Sequence, residues 1–280
     1  MHKKAIDSHQ HFWNLDLFQY DCMSPDNQIL YQNYLPENFE PILSEVEIEK
    51  IVAVQAHQSF DETRWLLELS DKFDFIAGVV GWVDLLSENV EKQLNEFTKH
   101  PKFKGVRHIV QDEPQDDWIL QPQVLQSINN LSQFDLTYDI LIFPKQLKYI
   151  PKLIEICPNV SFVVDHLAKP PIASGEIASW KKDLKAVSEF PQVYCKLSGL
   201  VTEADHKNWK KDDLQPYVET ALDLFGANRL MFGSDYPVCL LAADYQKVLE
   251  TYQLFLRNLS EDEQNQIMRE NAIRFYNLTV

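Results

Sequence analysis

The sequence predicts a closed (β/α)8 barrel, an α/β fold, and three observations carry that reading. Eight short apolar runs rich in β-branched residues recur along 280 residues. Longer amphipathic stretches separate them, and no glycine-rich turn follows the first run. Near-continuous apolar strands alternating with helices indicate a parallel sheet covered on both faces. Eight such units, at a length near the ~250 residues common for barrels, favour closure over an open doubly wound sheet. An open dinucleotide-binding sheet would want G-x-G-x-x-G after its first strand, and none of the seven glycines forms it.

In chain order, the predicted strands are "KAIDSH" (4–9), "IVAVQAH" (51–57), "FIAGVVGWV" (75–83) and "FKGVRHIV" (103–110). "LTYDILI" (136–142), "VSFVVDHL" (160–167), "VYCKLSG" (193–199) and "RLMFGSDYP" (229–237) complete the set. Helical spacing marks 63–73, 87–100 and 216–226, with Ser87 as a helix start and Gly226 as a C-terminal cap. The stretch 14–50 reads as an extended loop followed by a helix, a lid over the barrel mouth. No internal repeat or linker divides residues 1–280, which read as a single barrel domain.

Composition narrows the function classes. A formal charge of −16 and a pI near 4.9 oppose binding to nucleic acid or to an anionic membrane, both of which need basic patches. No apolar run approaches the ~18 residues of a membrane span. "MHKK" leads into the first strand without an apolar leader, so a cytoplasmic protein is expected. Cys22, Cys157, Cys195 and Cys239 are too scattered for a zinc ribbon or a CxxC pair. They are expected as buried reduced thiols. A small molecule is the expected partner; oligomeric state is not legible.

The chemistry-bearing residues cluster at predicted strand ends, where barrels of this kind build their sites. "AIDSHQHFW" places His9 and His11 at the end of strand one. With a side-chain period of two, they share a side and Gln10 faces the other. An H-x-H pair is weak alone, since roughly 0.2 arise by chance in a chain of this length. His166 ends strand six and Asp235 ends strand eight, so four such groups converge on one mouth. Lys196, inside the apolar "VYCKLSG", must find an anion or a polar cavity. Trp13 and Trp82 end strands one and three, and Arg107, His108 and Gln111 surround the end of strand four. All of these are candidates for substrate binding.

These stretches carry a resemblance. "IDSHQHFW", "GVVGWVDL", "KGVRHIVQDEP", "DHLAKPPI", "CKLSGLVTEAD" and "RLMFGSDYPVCLL" are similar to the amidohydrolase superfamily, and specifically to its sugar-lactone hydrolase branch, the L-fuconolactonase and L-rhamnonolactonase type. The resemblance covers residues 5–276. It implies a hydrolase that opens an aldonolactone. Two-metal members of the superfamily use a carboxylated lysine ending strand four and a histidine ending strand five, and this chain has neither. His9, His11 and Asp235 remain, enough for one zinc ion or none. A metal that is not required for the chemistry is the expectation.

Opening a lactone requires a base for water and donors for the carbonyl oxygen. Asp235 is the expected base, its pKa raised by desolvation, and it also returns the proton to the leaving oxygen. His9, His11 and His166 polarise the carbonyl. No G-x-S-x-G motif points to a covalent intermediate. Tyr20 and the following Asp21, Cys22 and Met23 fall on the expected lid, where such lactonases often show Tyr-Trp-Leu. The alternatives are a zinc amidohydrolase or decarboxylase on the same scaffold, or a sugar-binding protein without catalysis. A decarboxylase of acidic aromatics should place arginines at the mouth, where only Arg107 is expected.

Overall fold

Each predicted apolar run forms a strand, and the eight pair in chain order, all parallel, into one sheet. The computed structural model describes residues 4–20 and 23–280. The strands are β1 (Ala5–Gln10), β2 (Ile48–Val54), β3 (Ile76–Gly81), β4 (Phe103–Ile109), β5 (Thr137–Leu141), β6 (Phe162–Val164), β7 (Val193–Leu197) and β8 (Leu230–Phe232). The outer layer begins with α1 (Pro36–Glu45), α2 (Phe60–Lys72), α3 (Val90–Phe97), α4 (Pro122–Asn130) and α5 (Ile150–Ile156). It continues with α6 (Ala178–Ser188), α7 (Lys211–Phe225), α8 (Tyr245–Leu256), α9 (Glu261–Asn265) and α10 (Asn271–Tyr276). Beyond the ends of β1 and β8, His11 N donates to Tyr236 O at 2.7 Å and Asp235 N to His9 O at 2.9 Å. These two bonds close the sheet on the side where the strands end.

The helices at 63–73 and 216–226 are longer at their N-terminal ends than the spacing predicts, and that at 87–100 is shorter. Ser59 caps α2 by accepting from Glu62 N at 3.1 Å. Gly226, at φ 64°, ends α7 as expected, with its N–H on Leu222 O. Within 14–50 the helix is confined to α1, and β2 already begins at Ile48. The described part of the preceding loop is irregular, with its ends tied by reciprocal 3.0 Å backbone bonds between Trp13 and Tyr34. Asp21 and Cys22 lie outside the described residues, and Cys157, Cys195 and Cys239 are buried free thiols. Among the described residues no helix is long and apolar enough to cross a membrane.

The sixth and eighth strands are shorter than predicted. After Val164 the backbone turns left-handed, with φ of 53°, 52°, 56° and 51° at His166, Leu167, Ala168 and Lys169. Asp235 is also left-handed, at φ 58°. Non-glycine residues pay about 1–2 kcal/mol each for that conformation, so these turns persist because packing over-determines them. Leu167 and Ala168 are fully buried in the core, which anchors the first turn.

The register shows which side chains fill the barrel. Arg107 pairs with Asp139, Asp139 with Val163, Val163 with Tyr194, and Lys196 with Met231, so these residues share the inner side. On β1, Ile6 pairs with Lys50 and belongs to this inner set, together with Val52, Val54, Val80 and Met231. Strict alternation would then send His9 outward. Instead the three steps from Asp7 to Gln10 oppose only two, from Ile51 to Ala53. That bulge reverses the parity. Gln10 pairs with the outer residue Ala53, and His9 turns inward.

The barrel centre is charged. Lys196, fully buried, holds its Nζ 2.6 Å from Asp139 Oδ2, 3.0 Å from Asp165 Oδ1 and 3.0 Å from His9 Nδ1. Arg107 Nη1 lies 3.1 Å from Asp165 Oδ2. From the opposite end, Tyr276 on α10 donates its hydroxyl to Asp139 Oδ2 at 2.7 Å. Removing one partner of such a buried pair leaves an uncompensated charge, at a cost of about 3–5 kcal/mol. Lys196→Met should therefore lower the unfolding free energy by about that much in a urea titration. Adding Asp139→Asn should cost less than the sum of the two single changes. A Lys196→Met loss below about 1 kcal/mol would contradict the pairing.

Candidate active site

The strand ends surround a cavity of about 220 Å³. Its polar lining is His11, Arg107, Gln111, Asp112, His166, Lys169 and Asp235, and its apolar lining includes Trp13, Met23, Leu30, Ile109 and Leu141. Met23 and Leu30 come from the loop that precedes α1, so this loop walls the mouth.

Asp235 is the point on which three imidazoles converge. Its Oδ1 lies 3.4 Å from His11 Nε2, 3.8 Å from His9 Nε2 and 3.8 Å from His166 Nε2. His9 and His11 are held edge to face, with their Nε2 atoms 3.2 Å apart. His11 Nδ1 bonds to Val54 O at 2.8 Å, which assigns the proton to Nδ1 and leaves Nε2 bare toward the site. His166 Nδ1 meets Ser198 Oγ at 2.8 Å. His9 presents Nδ1 to Lys196 and to Asp165, the latter at 3.4 Å, and its Nε2 is also 3.2 Å from Arg107 Nη1.

Two glycines make this convergence sterically feasible. A Cβ on Gly233 would stand 2.6 Å from the His9 Cβ. One on Gly199, at φ 66°, would stand 2.6 Å from His166 Nδ1. Both distances are closer than van der Waals contact permits, so the backbone of the neighbouring strands can approach the two rings only because these residues lack side chains.

Electrostatics sort the groups by charge. Burial alone would raise the Asp235 carboxyl, but the imidazoles of His166, His11 and His9 that face it hold it below the usual carboxylate range. The expectation of a raised pKa is thus corrected: the imidazoles that face the carboxyl outweigh desolvation. Burial lowers His166 to about 4 despite Asp235 and Asp165, so its ring is neutral. Burial and the Lys196 ammonium push His9 well below its usual range. Asp165 ionises readily, because Lys196, His9 and Arg107 overcome its burial, whereas burial pushes Asp139 up to about 6.

The donor set fits one metal ion. Two nitrogens, each about 2.0–2.1 Å from a tetrahedral ion, lie about 3.3 Å apart, close to the observed 3.2 Å. His9, His11 and Asp235 together place one ligand atom each within 4.8 Å of one another. His9, Asp165 and His166 also meet that distance, but Asp165 is engaged by Lys196 and Arg107.

The predicted residues separate into three groups. His11, Trp13, Arg107, Gln111, His166 and Asp235 line the cavity. His9 and Lys196 are fully buried beneath it. Trp82 and His108 lie outside the lining. Trp82 Nε1 donates to His108 Nδ1 at 3.2 Å, and His108 Nε2 meets Glu113 Oε1 at 2.6 Å while its ring stacks on Trp118 at 4.0 Å. Period-two alternation explains the split, since Arg107 faces inward and the next residue must face the helices. Sequence reasoning missed Asp139, the pairing role of Asp165, and Lys169. Asp139 carried the same signal as Lys196, a charge within an apolar strand. Nothing local marked Lys169.

The amidohydrolase family pattern matches residues 6–278. The chain belongs to the amidohydrolase family. Among curated relatives, an L-fucono-1,5-lactonase of Burkholderia ambifaria is 36% identical over 280 residues, spanning 98% of this chain and 95% of that protein. An L-fucono-1,5-lactonase of Burkholderia multivorans is 36% identical over 287 residues, spanning 98% and 96%. A zinc-bound amidohydrolase crystal structure from Burkholderia multivorans superposes with a TM-score of 0.94 at 35% identity, covering 99% of this chain and 100% of that one. The closed eight-stranded barrel is therefore the amidohydrolase barrel.

The close approach at Gly199 gives a direct test. Gly199→Ala forces a side chain onto a left-handed residue, at about 1–2 kcal/mol, and against the His166 ring. A urea melt should show at least that loss, and the His166 ring resonance should shift. A variant that melts like the wild type with an unmoved ring signal would contradict this packing.

Proposed function

We propose that this amidohydrolase opens a sugar lactone to its aldonic acid. The observation that carries the reading is an ionised carboxylate, Asp235, facing imidazoles on the floor of a small cavity, in a chain 36% identical along 98% of its length to an L-fucono-1,5-lactonase. The cavity, about 220 Å³, is below the ~300–1,000 Å³ of sites for drug-sized ligands, which suits one small ring. Gln111 Oε1 is buried without a hydrogen-bond partner among the described residues and suits a substrate hydroxyl. Trp13, Met23 and Leu30 supply apolar walls for the C–H faces of the ring. The loop carrying Met23 and Leu30 serves as the lid.

The chemistry divides among the residues as follows. Asp235 accepts the proton of the attacking water, being ionised and within reach of the cavity. His166 Nδ1 meets Ser198 Oγ at 2.8 Å; with the serine hydroxyl as donor, His166 Nε2 carries the proton and polarises the carbonyl oxygen. Arg107 is a further donor for the carbonyl oxygen: it lines the cavity, and among the described residues its Nε has no hydrogen-bond partner. His11, bare at Nε2, cannot donate to the carbonyl when neutral, and His9 is covered. Both are better placed as ligands. When held by His9, His11 and Asp235, a zinc ion supplies Lewis-acid polarisation of the carbonyl.

A decarboxylase acting on acidic aromatics fits less well. Arg107, the one arginine lining the cavity, is already bonded to Asp165 and to the Gln55 carbonyl.

Two measurements test the assignment. Asparagine tolerates the left-handed backbone at 235, so Asp235→Asn should fold and lose roughly 10²–10⁴ in kcat on aldonolactones followed with a pH indicator. Near wild-type turnover would overturn the mechanism. Elemental analysis of purified protein should find at most one zinc per chain, and none in His11→Ala. Two equivalents would refute the ligand set.

A further inference from the structure

We propose that Lys169 is a second catalytic residue of this site, the acid that protonates the leaving ring oxygen. The inference rests on the lactonase reading and deepens it.

Lys169 lines the cavity with His166, and the backbone explains why both do so. From His166 to Lys169 the chain makes one left-handed turn, closed by a 2.8 Å bond from Lys169 N to His166 O. Residues three apart on such a tight turn project to the same side. Leu167 and Ala168, between them, face the core and are fully buried. Four consecutive left-handed non-glycine residues are costly. What the turn achieves is to bring an imidazole and an ammonium to one wall.

Lys169 is also uncommitted. Among the described residues it forms no ion pair within 4.0 Å, unlike Arg107 and Lys196. Its Nζ sits 5.3 Å from the centre of the Phe143 ring, a cation–π contact that holds the side chain at the mouth without consuming its protons. Glu203 is near enough for the ammonium to ease its ionisation, though no hydrogen bond joins them.

The other groups of the cavity do not supply this proton. His11 Nε2 is bare, His166 Nε2 is turned toward Asp235, and arginine does not release protons. Asp235 acts on the water, and returning its proton to the ring oxygen would require a second reach within one turnover.

The step balances. As the C–O bond from water forms, Asp235 takes the water proton. As the ring C–O bond breaks, Lys169 gives a proton to the departing oxygen, which leaves as a hydroxyl. The proton on Asp235 then passes through solvent to the Lys169 amine, and the new carboxylic acid releases its own proton to solvent.

The test compares wild type, Lys169→Met and Lys169→Arg on the aldonolactone that wild type turns over fastest, with KM and Tm measured for each. Loss of a general acid costs about 10²–10⁴-fold. Lys169→Met should fall by that factor in kcat with KM within a few-fold of wild type. Lys169→Arg should not restore the rate, because it keeps the charge but cannot give up the proton. If Lys169→Met lowers Tm, Lys169→Gln replaces it. A Lys169→Met rate within threefold of wild type, a loss carried by KM, or full activity in Lys169→Arg would each overturn the proposal. Absence of turnover in wild type across the lactone panel would instead overturn the lactonase reading.

Discussion

The burial of one ammonium organises this barrel. Lys196 sits at the centre with no exposure, and a buried cation is tolerable only when its charge is matched and its protons are placed. Three groups surround it: Asp139, Asp165 and His9. Each contact fixes something else. Asp165 turns its second oxygen to Arg107, Asp139 takes the Tyr276 hydroxyl from the last helix, and His9 is oriented toward Asp235. The floor of the site and the plug of the barrel's other end are thus one hydrogen-bonded unit.

Above that unit, shape is controlled by backbone geometry. A bulge on β1 turns His9 inward, and left-handed residues after β6 and β8 aim His166, Lys169 and Asp235. Gly199 and Gly233 leave the space the imidazoles occupy. These features are unfavourable locally and coincide at one place, as expected where strain is retained to position functional groups. The cost falls on residues that face the cavity, His166, Lys169 and Asp235, and on Leu167 and Ala168 between them in the core.

Charge within the site follows from depth for the imidazoles and from neighbours for the carboxylate. Asp235, His9 and His166 are all buried, yet the carboxyl stays ionised and the imidazoles stay neutral. Two cations face three carboxylates across the centre and floor: Lys196 and Arg107 against Asp139, Asp165 and Asp235. The excess of negative charge suits a cation at His9, His11 and Asp235. The ammonium of Lys169 stands apart from that balance on the cavity wall.

The barrel was legible in the sequence because its signal is local and repeated: each apolar run and each amphipathic stretch reports its own structure within a few residues. His11, His166 and Asp235 were legible for a related reason, since charged or imidazole groups at the ends of apolar strands fall at the barrel mouth. Alternation also separates Arg107 from His108, and applying it strictly would have removed His108 from the site. It would have misplaced His9, because the bulge that turns His9 inward is set by pairing with β2, more than forty positions away in the chain. The anion that Lys196 required was predictable in kind. That Asp139 and Asp165 supply it depends on the pairing of three neighbouring strands, β5, β6 and β7. Lys169 illustrates the limit most plainly. In "DHLAKPP" it is an ordinary loop lysine, and only the left-handed turn, held by the burial of Leu167 and Ala168 in the core, brings it beside His166. Strand period and composition determine which faces are buried; which charges meet is decided by contacts between segments remote in sequence.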